Sequence, residues 1–131
     1  MTELTKRRPK YLALHEIRLP LAGFASILHR VSGAGLFLML PVLIYLLQLS
    51  LDPSPEAAAA FKAIGGNFFV RLILFGLSWA FLHHFCMGIR ILLIDIQVGV
   101  EKESSRKSAI AVMAVSLALT MVVGMKFIGV L

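Results

Sequence analysis

Charged side chains are scarce in this sequence. Of its 131 residues, 15% are charged and 59% are hydrophobic, and the mean hydropathy is +0.88. An ordinary soluble domain carries about 25% charged residues, because water must solvate its surface. The shortage of charge therefore excludes an ordinary soluble globular protein and indicates a membrane protein.

Cysteine is almost absent, since Cys86 is the only one, and a disulfide within the chain is therefore impossible. The formal net charge is nevertheless +6. Part of it comes from five basic residues that precede the first apolar stretch: Lys6, Arg7, Arg8, Lys10 and Arg18. In a membrane protein such a cluster marks a cytoplasmic end close to anionic lipid, so we do not expect nucleic acid as a partner.

Three apolar stretches are long enough to cross a bilayer, which takes about 20 residues of helix. We predict an all-α integral membrane protein, 1–131 forming a single domain, with three transmembrane helices at about 23–50, 68–94 and 108–131. Pro41 lies inside the first span, where a membrane helix tolerates it as a kink. The residues after that span predict a break at 52–55 and then a short alanine-rich surface helix.

Basic residues are distributed unevenly over the connections. The N-terminal segment 1–22 holds five, and the connection 95–107 holds Lys102, Arg106 and Lys107, whereas the first connection holds only Lys62. The positive-inside rule therefore places the N-terminus and the 95–107 connection in the cytoplasm.

Polar residues recur on one face at the start of the first span. Ser26, His29, Arg30 and Gly33 follow helical spacing, so a hydroxyl, an imidazole and a guanidinium share a stripe at the edge of the bilayer. A quinone headgroup needs such donors beside apolar walls, and an arginine fork also suits a haem propionate. The alternative is an arginine that anchors the helix at the interface by snorkelling.

The second span contains a buried imidazole. His84 lies within the hydrocarbon region and must pair with something, for which haem iron and a neighbouring helix are the two candidates. Gly88, Ile91 and Asp95 fall within about 40° of it on the helical wheel. Gly88 leaves a gap in which a flat macrocycle fits.

Other residues in these spans have simpler interpretations. His83 has no distinct task, Cys86 and Met87 are packing residues, and Asp95 ends the helix at the interface.

Gly33 and Gly35 are expected to let helices approach closely. Arg71 and Arg90 are expected to snorkel toward the two interfaces.

The chain offers one deep histidine as an iron ligand, whereas a low-spin cytochrome b usually has two axial histidines. A haem site therefore requires a partner subunit that supplies the second one. The fold we expect is a helical bundle formed by packing with a second anchor subunit.

Two motifs resemble those of the cytochrome b membrane-anchor subunit of succinate dehydrogenase, respiratory complex II. The first is Arg8-Pro9 followed by Ser26-Ile27-Leu28-His29-Arg30-Val31-Ser32-Gly33, and the second is His84-Phe85-Cys86-Met87-Gly88-Ile89-Arg90 with Asp95. The resemblance covers essentially the whole chain.

That resemblance implies roles for four residues. His84 is expected to be an axial ligand of haem b, His29 and Arg30 to lie close to the haem propionates, and Ser26 and Arg30 to bind ubiquinone. It further implies a second anchor subunit with the other axial histidine, and iron–sulfur and flavoprotein subunits that deliver electrons from succinate. The chain itself contains no flavin site and no cysteine cluster for an iron–sulfur centre, so it cannot oxidise succinate alone.

The chain departs from several members of that family at Ile91, where they have a histidine, and this puts the propionate environment in question. The expected location is a bacterial or mitochondrial inner membrane, in contact with lipid. Two alternatives remain open: a fumarate reductase anchor, and a small membrane scaffold or transporter without haem.

Overall fold

The computed structural model describes residues 16–127. Four helices follow one another in this part of the chain, which has no strand: α1 (Leu21–Leu51), α2 (Pro55–Gly66), α3 (Phe68–Asp95) and α4 (Lys102–Phe127). Three of them, α1, α3 and α4, are long and apolar enough to cross a membrane, so the predicted all-α protein with three transmembrane helices is confirmed. The Arg8-Pro9 pair, most of the N-terminal basic cluster and the last residues of the third span lie outside the described residues.

Side-chain caps define the turn between α1 and α3. The Ser54 backbone N–H donates to Asp52 Oδ1 over 2.8 Å, and this bond holds the pKa of the Asp52 carboxyl below its ordinary value. The Ser54 hydroxyl accepts from the Ala57 N–H over 3.2 Å and caps α2, which begins with Pro55. The predicted alanine-rich helix is thereby confirmed.

The turn between α3 and α4 is built by backbone hydrogen bonds. The Val98 N–H donates to the Leu93 oxygen and the Gln97 N–H to the Ile94 oxygen, both over 2.9 Å. This is the Schellman pattern that commonly ends a helix, with Gln97 in the left-handed conformation at φ 65°. Helix α4 then starts at Lys102, several residues before the apolar part expected at 108.

Helix α3 packs against both α1 and α4, and α1 also contacts α4. The buried core contains Ala25 of α1, Met87 of α3, and Ala109 and Val112 of α4, with Cys86 packed against it. The small side chains of Ala25 and Ala109 let the membrane helices approach closely, which favours van der Waals packing. The predicted packing roles of Cys86 and Met87 agree with this arrangement.

The outer surface of the bundle is apolar. Large hydrophobic side chains are exposed along its length, among them Phe37 (73%), Leu38 (67%) and Phe85 (58%). In water such a surface would drive association, whereas in a bilayer it contacts lipid tails or another apolar helix. The chain is a multi-pass membrane protein.

Candidate functional site

The His84 imidazole lies against helix α1. Its Nδ1 atom is 3.0 Å from the backbone oxygen of His29, and the two histidine rings stack with centroids 4.0 Å apart and planes at 19°. A carbonyl oxygen can only accept a hydrogen bond, so Nδ1 is the donor and carries a proton. In the tautomer with its proton on Nδ1, the lone pair is on Nε2, the nitrogen left available for a metal.

Two neighbouring residues of α1 complete the surroundings of this ring. The Ser32 hydroxyl is buried and donates to the same His29 oxygen over 2.9 Å, and its oxygen is 3.4 Å from His84 Nδ1. Gly33 lies against the Cε1 edge of the ring, because a Cβ atom at that position would be 2.6 Å from His84 Cε1. The His29 carbonyl, Ser32 and Gly33 together form what we call the His84 seat.

The side of His84 that faces away from the seat can accommodate a flat ligand. Within residues 16–127, no group hydrogen bonds to His84 Nε2. One turn further along α3, a Cβ atom at Gly88 would meet nothing within 4 Å, so the backbone there is open. A haem held through Nε2 fits these residues, because the nitrogen has a free lone pair and the adjacent turn presents no side chain.

An apolar groove continues from this region toward the α2 end of the bundle. It has a volume of about 440 Å³ and is lined by side chains of α1, α3 and α4, among them Leu36, Phe81 and Leu82. Leu36 is almost one helical turn beyond Gly33, and Leu82 comes two residues before His84. The histidine pair therefore adjoins an apolar surface on one side and the start of α1 on the other.

Ser26 and Arg30 lie one turn apart on α1. Neither side chain makes a hydrogen bond to any residue in the range 16–127. Other hydroxyls in the spans donate to carbonyls of their own helix, as Ser78 does to Leu74 (2.8 Å) and Thr120 does to Ser116 (2.7 Å). The Ser26 hydroxyl and the exposed Arg30 guanidinium are thus both free to donate to a ligand. Neither is joined to His84 by a hydrogen bond.

His83 was not singled out by its sequence pattern, yet it is one of the two fully buried polar side chains among the described residues. Its ring is fully buried and stacks on Trp79, with centroids 5.3 Å apart. Neither ring nitrogen has a hydrogen-bond partner among the described residues, and the same is true of Trp79 Nε1. In the sequence, the only indication of a role for His83 was its position two helical turns before Arg90. The structure shows that Arg90 is also buried.

The prediction that Arg90 snorkels is wrong. Its side chain is only 7% exposed and points into α4, where Nε donates to Ser108 Oγ over 2.9 Å. Nη2 donates to the hydroxyl and backbone oxygen of Ser105 over 2.8 and 3.1 Å. The serine hydroxyls on the first turns of α4 give the Arg90 guanidinium several hydrogen bonds at once. A snorkelling side chain would make fewer at the interface. Arg71 is exposed at its end of α3 and donates to the Gly65 oxygen, as an interfacial arginine would.

The two glycines expected to assist packing differ. Gly33 makes the close contact described above, whereas a Cβ atom at Gly35 would meet nothing within 4 Å in this part of the chain. Asp95 is exposed as the last residue of α3, in agreement with its predicted role. Ile91 is partly buried and packs against the core.

Comparison with known proteins decides the family. Residues 4–123 match the family described as succinate dehydrogenase/fumarate reductase transmembrane subunit. This chain belongs to that family. The match contains the first-span motif and the His84 motif, so the resemblance drawn from those residues is confirmed.

Individual members of the family are similar over most of their length. The succinate dehydrogenase cytochrome b556 subunit of Paracoccus denitrificans is 33% identical over 112 residues, which cover 86% of this chain and 85% of the relative. The subunit of the same name from Rickettsia felis is 30% identical, covering 91% of this chain and 92% of the relative. That from Coxiella burnetii is 29% identical, covering 92% and 97%.

Proposed function

We propose that this chain is the membrane-anchor subunit of a succinate:quinone oxidoreductase, in which it holds haem b through His84 and contributes to a ubiquinone site at Ser26 and Arg30. The observation that carries the proposal is the hydrogen bond from His84 Nδ1–H to the His29 oxygen, 3.0 Å long. A ligand histidine in proteins usually donates its second ring N–H to a carbonyl or carboxylate, which fixes the tautomer and the orientation of the ring. His84 has this arrangement.

Haem b, when bound, would supply a one-electron carrier between the anchor subunits. On this chain, His84 Nε2 would hold the iron, and His29 and Arg30 would lie near the propionates. The Arg30 guanidinium is exposed and without a partner among residues 16–127, so its planar fork is available to a carboxylate.

A second histidine that would hold the haem iron is expected from a second anchor subunit. His29 does not suit this role, because its ring stacks face to face on His84 and the two rings do not point at each other across a common ion. His83 is enclosed between the helices. The exposed apolar surface of the bundle gives a second set of membrane helices a place to pack. The expected water-soluble partners are an iron–sulfur subunit and a flavoprotein subunit.

Ubiquinone reduction requires donors directed at the headgroup oxygens. A hydroxyl and a guanidinium one turn apart on α1, both without hydrogen-bond partners among residues 16–127, can hold a carbonyl oxygen and stabilise the negative charge that develops on it. Because these donors are fixed on a helix, little reorganisation is needed as the charge develops. Ser26 and Arg30 would therefore bind and polarise the headgroup.

The expected location is a bacterial or mitochondrial inner membrane, with the N-terminus on the cytoplasmic or matrix side. The support is the distribution of basic residues, which are concentrated before α1 and in the α3–α4 connection. The Ser26 and Arg30 end of α1 is then on the side from which electrons of succinate oxidation arrive.

The proposal is tested by reduced-minus-oxidised absorbance spectra of the complex purified with its natural partner subunits. We expect a b-type spectrum in the wild type and its loss in His84→Ala. A wild-type complex with no haem signal would remove haem b from the proposal and leave a three-helix anchor whose quinone role still needed proof. A His84→Ala complex with a full signal would remove His84 as the ligand.

The family description also covers fumarate reductase, in which the same quinone chemistry runs in reverse. The names of the similar proteins favour succinate oxidation. The two candidates are separated by comparing the rates of succinate–ubiquinone reduction and of quinol–fumarate reduction in the same purified complex.

A further inference from the structure

We infer that Gly33 is a positioning residue for the His84 imidazole: only a hydrogen as the side chain lets the ring lie on α1 with Nδ1 at the His29 oxygen. The inference rests on the proposed function in one respect, namely that the positioned ring is a haem ligand. The steric part concerns residues of this chain alone.

The contact between Gly33 and His84 leaves no space for a methyl group. A Cβ atom at position 33 would lie 2.6 Å from Cε1, 3.1 Å from Nδ1 and 3.7 Å from Nε2 of His84. Carbon atoms in van der Waals contact are about 3.5–4.0 Å apart. The imidazole is a rigid plane, so it would have to move as a unit, and Nδ1 would lose its 3.0 Å bond to His29.

The α1 backbone gives no other reason for a glycine at this position. Position 33 is in the interior of a helix, and its φ is not among the positive values of the described chain. Alanine is about 1 kcal/mol better than glycine in such a position in water. The neighbouring ring, rather than the conformation of the helix, is therefore what requires glycine here.

Gly35 provides the matched contrast within the same helix. A Cβ atom at that position meets nothing within 4 Å among the described residues, so Gly35→Ala adds the same methyl group to the same helix without touching His84. A general effect of alanine on α1 would appear in both variants. An effect through His84 would appear only in Gly33→Ala.

The first experiment uses the complex assembled with its natural partners, in wild-type, Gly33→Ala and Gly35→Ala forms. We measure haem per complex, the electron paramagnetic resonance spectrum of the ferric haem, and its midpoint potential. Loss of the groups that orient a ligand typically weakens metal binding on the order of 10-fold, so we expect Gly33→Ala to lose haem or to show a shifted spectrum and potential, and Gly35→Ala to match the wild type. Equal haem content, spectrum and potential in the two variants would overturn the inference.

A double variant decides the case in which Gly33→Ala fails to assemble. We compare the amount of assembled complex in membranes that carry Gly33→Ala, His84→Ala or Gly33→Ala/His84→Ala, together with the thermal unfolding of the complexes that do assemble. If the methyl group collides with the imidazole, removing the ring removes the collision, and the double variant is as stable as His84→Ala alone. If Gly33→Ala destabilises equally with and without His84, Gly33 serves another contact and the inference is wrong. This cycle needs no haem, so a wild type without haem would end the proposed function but leave the steric claim decidable.

Discussion

The Nδ1 atom of His84 lies 3.0 Å from the backbone oxygen of His29, so a hydrogen bond joins α3 to α1 through the proposed iron ligand. The Ser32 hydroxyl shares that oxygen over 2.9 Å. The orientation of the imidazole is therefore part of the packing of α1 on α3. A change that displaces either helix is expected to alter the ligand as well.

Ser26 and Arg30 are predicted to act mainly on quinone reduction. Arg30→Ala removes a charged donor, for which a hydrogen bond contributes about 1.5–3 kcal/mol, so we expect the KM for ubiquinone to rise by about 10-fold or more. Ser26→Ala removes a neutral hydroxyl and is expected to raise it by about 5-fold. Steady-state kinetics with a soluble ubiquinone analogue measure both.

Two matched controls accompany these variants. Ser50→Ala removes a hydroxyl that donates to the Leu47 oxygen of its own helix, and Arg71→Ala removes an exposed arginine at the far end of α3. Both should leave the quinone kinetics unchanged. In all four variants, succinate oxidation with a water-soluble electron acceptor should stay at the wild-type rate. Unchanged ubiquinone kinetics in Arg30→Ala would remove that residue from the site.

Arg90 is predicted to hold α4 against α3. Arg90→Lys keeps the charge, but a single ammonium cannot reproduce the bonds from Nε to Ser108 and from Nη2 to Ser105. Since hydrogen bonds to a charged group contribute about 1.5–3 kcal/mol, we expect a clear fall in the thermal unfolding midpoint of the complex. Arg71→Lys, at an exposed position, should change it little. A midpoint for Arg90→Lys equal to that of Arg71→Lys would show that the α4 contacts do not stabilise the bundle.

The transmembrane helices could be predicted because the length of an apolar stretch shows directly whether it can cross the bilayer. Pro41 inside α1 and the break after Leu51 follow from local chemistry, and both are found in the structure. The start of α4 could not be predicted as well. Its first residues, from Lys102 onward, are polar, so hydropathy marks where the apolar part of the helix begins and not where the helix itself begins.

From the sequence, we could predict only those features of the site that are determined by spacing within a single helix. Helical spacing put Ser26, His29 and Arg30 on one stripe of α1, and it set His84 apart from His83 on α3. Spacing does not say which neighbouring helix each face meets. The enclosure of His83 and the bonds of Arg90 to α4 depend on that choice, as does the contact between Gly33 and His84. These relationships appeared only once the helices were packed.

His83 is predicted to be dispensable for haem and unfavourable for stability. Its ring is fully buried with both nitrogens unpaired among the described residues, and an unsatisfied buried polar group costs about 1–3 kcal/mol. In His83→Leu, an apolar side chain of similar volume replaces the imidazole, while the ring stacking on Trp79 is lost. Removal of the unpaired ring nitrogens outweighs the loss of the stacking, so we expect an unchanged or raised unfolding midpoint and full haem content. The matched variant is His84→Leu, the same substitution one residue further on, which should lose the haem. A marked fall in the midpoint of His83→Leu would mean that the ring is hydrogen-bonded to the backbone of Ala25 on α1, and loss of haem in that variant would transfer the ligand role to His83.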